Sequence, residues 1–241
     1  MDIRIDSSKL SPQQEYVCWI DIMGTKNTMS ESFEKAVNFI LRLHECVINA
    51  VKSQPNVNSY PLMDGVFITC PNKETICKII DEVFTEIADH FISVNKNIYR
   101  FIIKGSLSYG FIAHGNSISN TVCSGIIADN DEYKKSIMFG MPMIQAFTAE
   151  HTAPPFGIYI HESARQPKRI QGRYYHWKIK QDKTFTKDLL KQKIISYFNW
   201  CTHYSHYLEM DTTKISMYKK LSEEFLTDRK ANDNDNFWDA K

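Results

Sequence analysis

A chain of 241 residues with 43% hydrophobic and 12% aromatic content is long and apolar enough to bury a full core, and it suits one large domain or a domain with an appendage. Twenty-nine Lys and Arg against 28 Asp and Glu leave a net charge of +1, which argues against nucleic acid or an anionic membrane as a partner while leaving room for a local anion site. No stretch has the ~18 uninterrupted apolar residues of a spanning helix, and the first residues, MDIRID, lack the apolar core of a signal peptide, so the expected compartment is the cytoplasm.

The cysteines Cys18, Cys46, Cys70, Cys77, Cys123 and Cys201 form no C-x-x-C pair and several sit in apolar runs, so they read as free thiols of a reducing compartment. His203 and His206, spaced i, i+3 in an aromatic segment, read as part of a packed helix, because no Cys or carboxylate at a suitable spacing completes a zinc set.

In chain order, residues 16–22 (YVCWIDI) predict a central strand that ends in a lone acid, Asp21. Thr28 and Glu31 suggest a capping box, and Phe33, Val37, Ile40, Leu43, Val47 and Val51 recur at helical spacing up to SQPNVNS. YPLMDGVFITC reads as a hairpin with Asp64-Gly65 at its turn. Residues 73–94 predict a second amphipathic helix, and YRFIIKGSLSYGFIAHG a long strand in which Gly105 and Gly110 mark close backbone approach or a bend. A polar loop over 114–136, a shorter helix from FGMPMIQAFTAEH, Pro154-Pro155 and a strand FGIYIH follow.

This β-α-ββ-α-β-α-β order predicts an α+β fold, a ferredoxin-like core whose antiparallel-rich sheet carries helices on one face. The expected division is an N-terminal extension over 1–15, a core over 16–165, a mostly helical C-terminal appendage over 166–228 and a polar tail over 229–241.

In that order the end of the first strand and the hairpin tip are neighbours, so Asp21 and Asp64 are expected to share one space. Two carboxylates so close repel unless a cation lies between them, and magnesium or manganese is the usual solution. Gly24 and the start of the following helix, about residues 25–30, suit a phosphate. Each part has a plainer reading, since D-G is commonly only a turn and an acid at a strand end commonly caps a helix. The conjunction is what points to a site.

WIDIMGTKNTM, LMDGVFI, FIIKGSLSYGFIAHGN and FGMPMIQAFTAE together resemble the catalytic domain of class III nucleotide cyclases, more specifically the pyrimidine (uridylate/cytidylate) cyclases of the bacterial Pycsar anti-phage system. The resemblance covers residues 16 to about 162. It implies two Mn2+ or Mg2+ ions per site held by Asp21, the Ile22 carbonyl and Asp64. It further implies a substrate-contacting set of Cys18, Ile22, Gly24, Thr25, Tyr60 and Lys104. Tyr60 takes a base-reading position that purine cyclases fill with lysine, which favours UTP or CTP as substrate. Lys104 stands where relatives commonly carry Arg, keeping the cation but losing the planar fork; Arg100 is a weaker candidate for the same task.

The chain departs from the purine enzymes in its third helix, where Ile144 and Thr148 take the places of an Asn and an Arg. That leaves the transition-state donor to Lys104, Lys26 or a second subunit. The activity implied is conversion of UTP or CTP to 3′,5′-cyclic UMP or CMP and pyrophosphate in a homodimer, the product acting on a separate effector in anti-phage defence. The rival readings are a catalytically degenerate nucleotide sensor or interaction module and a palm-type nucleotidyltransferase with linear or dinucleotide products.

Overall fold

The sheet is built around the apolar first strand. The computed structural model describes residues 5–123, 125–165, 173–204 and 211–227. Strand β1 (Gln13–Ile22) pairs antiparallel with β3 (Gly65–Cys70) on one side and with β4 (Ile103–His114) on the other. β2 (Asn58–Leu62) closes a hairpin with β3, and β6 (Ile158–Ile160) runs parallel to β4 and is edged by β7 (Tyr174–Tyr175). The order across the sheet is β2-β3-β1-β4-β6-β7, with the short β5 (Met138–Phe139) paired to the far end of β4. The result is a mixed, α+β sheet. Its first strand starts at Gln13, so the last residues of the expected extension are strand, and Glu15 lies inside it at 3% exposure.

Both faces of β1 are covered. Cys18, Ile20 and Ile22 point into the main core, packed with α2 (Phe33–Val51), α3 (Lys73–Ser93) and α6 (Lys187–His203). Val17 and Trp19 point the other way, into a smaller cluster with Tyr60, Phe67, Ile112, Met138 and Ala146. That second face is crossed by α5 (Met141–Ala149), fastened because Ser108 Oγ donates to the Pro142 carbonyl at 2.6 Å and Ser106 Oγ donates to that of Ala146.

Two local expectations are corrected. Thr28 is not a helix cap: it lies inside a separate short helix α1 (Thr25–Glu31), its hydroxyl donating to the Gly24 carbonyl. The long helix α2 is capped instead by Ser32, in extended conformation (φ −154), whose Oγ accepts from the Lys35 amide. In the hairpin the turn is made by Met63 and Asp64, with Leu62 paired to Gly65. Met63 takes the left-handed conformation (φ 53). Gly65 is required for a different reason, since a Cβ there would lie 2.4 Å from the Trp19 ring and 2.7 Å from the Ile20 carbonyl.

The C-terminal region is wound into this core. Trp177 is fully buried and donates through Nε1 to the Phe156 carbonyl at 2.7 Å. Lys183 Nζ spans Glu86 (3.0 Å) and Asp89 (2.9 Å) on α3. Helix α7 (Thr212–Leu226) packs on α6 and, through Phe225, on Tyr174 and His176. The remaining short helix, α4 (Asp131–Lys135), lies in the stretch expected to be loop. Of the paired histidines, His203 ends α6 with Nδ1 against the Asn199 carbonyl, and His206 lies outside the described residues, as does the polar tail.

Candidate functional site

Asp21 is the next-to-last residue of β1, on the face opposite the main core, and the register sets its neighbours. Across β1 and β4, Asp21 pairs directly with Lys104; on the other side the last pair is Ile20 with Val66, one step from Gly65 and the hairpin tip that carries Asp64. Asp21 and Asp64 therefore come together as the spacing predicts. Asp21 Oδ1 is buried and has no hydrogen-bond partner among the described residues. Burial first, then the charges of Asp64 and Glu150, push the Asp21 carboxyl up to about 7, against the lowering effects of the Ile22 amide and Lys104. An acid held that way is short of positive charge.

The cation paired with Asp21 across the strands is turned elsewhere. Lys104, 7% exposed, places Nζ 2.9 Å from Glu150 Oε1, off the line of a hydrogen bond, so the pair is held by charge rather than by direction. The same Nζ lies 5.6 Å over the ring of Tyr218 on α7. Glu150 and Tyr218 were not legible in the sequence. Glu150 follows α5 without any motif around it, and Tyr218 comes from the segment read as an appendage.

The phosphate-side candidates lie at the β1–α1 junction. Gly24 takes φ 78, a left-handed conformation suited to glycine, and precedes α1, whose start has no side-chain cap. Thr25 is buried and its Oγ1 donates to the Ile22 carbonyl at 3.1 Å, leaving that carbonyl one further lone pair. Lys26 is exposed.

Other candidates stand apart. Cys18 has no exposed surface and faces the main core, where burial raises its thiol pKa, so it does not share the space of Asp21. Arg100 is spent on structure, donating at 2.6 Å to Asn97 Oδ1 and at 2.6 Å to the Val94 carbonyl. On α5, Ile144 is half exposed and the Thr148 hydroxyl donates back to the Ile144 carbonyl at 2.8 Å, so neither offers a charged donor.

Tyr60 is 8% exposed, its ring packed against the Phe67 side of the second cluster. Its Oη lies 2.6 Å from His114 Nδ1, with the two rings parallel to within 5°. His114 Nε2 lies 2.8 Å from Glu15 Oε1. Burial, with the Glu15 charge behind it, pushes the Tyr60 hydroxyl up to about 12. Neither His114 nor Glu15 carries a sequence signal for this role.

The residues present fit a divalent cation at Asp21. An orphaned buried carboxylate oxygen, a second carboxylate beside it and a carbonyl with a spare lone pair form an oxygen donor set. Among the described residues no three His, Cys, Asp or Glu side chains form a metal cage. Magnesium is commonly held by one or two carboxylates with substrate phosphates completing its shell.

Among the described residues no helix is long and apolar enough to cross a membrane. No family model matches the chain, and no curated protein matches it. Among solved structures it is similar to the monomeric guanylyl cyclase domain of the RhoGC fusion protein from the aquatic fungus Blastocladiella emersonii, at 14% identity and a TM-score of 0.46, covering 63% of this chain and 82% of that one. A non-canonical dimeric form of the same fungal domain gives 16% identity and a TM-score of 0.45, covering 63% of this chain and 80% of that one. A bacterial light-regulated adenylyl cyclase gives 13% and 0.44, covering 61% of this chain and 42% of that one.

Proposed function

We propose that the chain is a nucleotide cyclase acting on UTP or CTP, forming the 3′,5′-cyclic monophosphate and pyrophosphate as a second messenger for a separate effector in anti-phage defence. The observation that carries the reading is the Asp21–Asp64 pair, with a buried carboxylate oxygen that nothing among the described residues satisfies.

Asp21, Asp64 and the Ile22 carbonyl are the residues that would hold the cations. When bound, divalent cations there supply the positive charge that grips phosphate oxygens and eases loss of the ribose hydroxyl proton. Gly24 lets the triphosphate approach the backbone before α1. Burial against the sheet keeps Asp21 poorly hydrated and raises the worth of each charge contact there. Tyr60, where a purine enzyme carries lysine, supports a small ring over a purine. A homodimer is part of the reading: α5 leaves Met141, Ile144 and Phe147 exposed at a helical spacing, and Met63 is exposed at the hairpin tip beside Asp64.

Incubation of the purified protein with ATP, GTP, CTP and UTP separately, each with Mn2+, followed by mass spectrometry, tests this. Cyclic UMP or CMP is expected. Nucleotide binding without any product would instead favour a catalytically degenerate sensor, a reading motivated by the engagement of Lys104 with Glu150 and the absence of a charged donor at Ile144 and Thr148.

A further inference from the structure

The Tyr60–His114–Glu15 chain joins residues from three strands. Its contacts span 54 and 99 residues of sequence, and Glu15, at 3% exposure, has its other oxygen buried without a partner. No helix or turn needs this chain, and a tyrosine filling an apolar cluster would be cheaper as phenylalanine than with a buried acid behind it.

A carboxylate only accepts, so the 2.8 Å contact puts the imidazole hydrogen on Nε2 of His114. In the neutral ring Nδ1 is then a bare acceptor. For the neutral ring the hydrogen at 2.6 Å is that of the Tyr60 hydroxyl, whereas an imidazolium paired with Glu15 would donate from Nδ1 and free the phenol hydrogen. With its hydrogen spent inward, the phenol oxygen has only lone pairs to offer outward.

We propose that Glu15 and His114 are positioning residues that lock Tyr60 as a hydrogen-bond acceptor, so that the base site selects a pyrimidine edge presenting an N–H donor. The proposal rests on the pyrimidine reading above and deepens it. The donor is the 4-amino group of cytosine or the N3–H of uracil; the favoured triphosphate is the one whose donor meets the oxygen, and 3-methyl-UTP, which lacks N3–H, separates the two.

Glu15→Gln is the decisive variant, because an amide can donate or accept and no longer dictates the imidazole tautomer. The full-length protein is compared with Glu15→Gln, Tyr60→Phe and the double variant for the UTP:CTP ratio of kcat/KM. Glu15→Gln is expected to move the ratio about tenfold away from the wild-type preference. In the Tyr60→Phe background the same change is expected to have no effect on the ratio. A folded Glu15→Gln protein with wild-type selectivity overturns the proposal, as does an equal shift without the Tyr60 hydroxyl.

A second measurement needs no turnover. In the 15N-labelled protein, with His114 assigned by loss of its signals in His114→Gln, the neutral Nε2–H tautomer with a bare Nδ1 is expected, and an Nδ1–H tautomer or a doubly protonated ring overturns the lock. If the wild type converts neither pyrimidine, the pyrimidine reading is what fails, and the tautomer decides the hydrogen-bond lock separately.

Discussion

Asp21 and Lys104 stand directly opposite each other across β1 and β4, yet Lys104 sends its ammonium to Glu150 and leaves an Asp21 oxygen buried and bare. A cross-strand acid and base would ordinarily neutralise one another. Here the base balances a second acid, so the space between Asp21 and Asp64 keeps its deficit of positive charge.

That deficit predicts the effect of removing the hairpin acid. Asp64→Ala is expected to lower turnover by at least about 100-fold, while the melting temperature moves by no more than about 2–4 °C, because a turn residue contributes little packing. Steady-state assay and calorimetry on one preparation check both halves.

Lys104→Met should behave differently. It leaves Glu150 buried without its cation and Asp21 without the one charge that lowers its pKa. A loss of about 3–5 kcal/mol is expected in urea unfolding. Lys104→Met with Glu150→Gln should recover much of it, since Glu150 is then no longer a buried charge without its cation.

Gly65→Ala tests the fit between the hairpin and β1. Its Cβ would press on the Trp19 ring and the Ile20 carbonyl, and one of those contacts is backbone, which cannot swing aside. The expected cost is about 1–3 kcal/mol, read from the urea midpoint. Activity should fall as well, because the same strain displaces Asp64.

Trp177→Ala asks whether the C-terminal segment belongs to the core. Its indole is fully buried and bonded to Phe156, so a loss of about 3–5 kcal/mol is expected in a single cooperative transition. Two separate transitions would mean that the segment folds apart from the sheet.

Asp81 supplies a pH dependence away from the candidate site. It accepts from the Tyr175 hydroxyl at 2.9 Å and the Lys178 amide at 2.8 Å, and burial outweighs both bonds, pushing its carboxyl up to about 6. The folded state therefore binds this proton more tightly than the unfolded one, whose carboxyl titrates near 3.9. The Asp81 contribution to stability falls as pH rises from about 4 to 6 and is flat outside that window. Asp81→Asn should remove that slope from a series of urea midpoints.

Much of the architecture was written locally. The apolar periodicities of α2 and α3, the long β-type run of β4 and the Asp-Gly turn between the apolar runs of the hairpin each follow from side chains within a turn or two of one another, and the structure holds elements at all of these places. The nearness of Asp21 and Asp64 was also legible, because a strand end and a hairpin tip in adjoining strands leave little freedom. The cap at Thr28 misled because the cue does not say where a chain breaks: Ser32 in extended conformation splits the expected helix.

What the sequence determined by itself was therefore the set of elements and the pair of acids at their ends. Tertiary structure decided which way the residues face and whom they meet. YVCWI is apolar on both sides of the strand, so alternation could not say that Cys18 turns into the main core while Asp21 turns toward α5. Lys104 with Glu150, and Tyr60 with His114 and Glu15, are partnerships set by strand order and register across a sheet. Periodicity carries no information about partners so far apart in the chain.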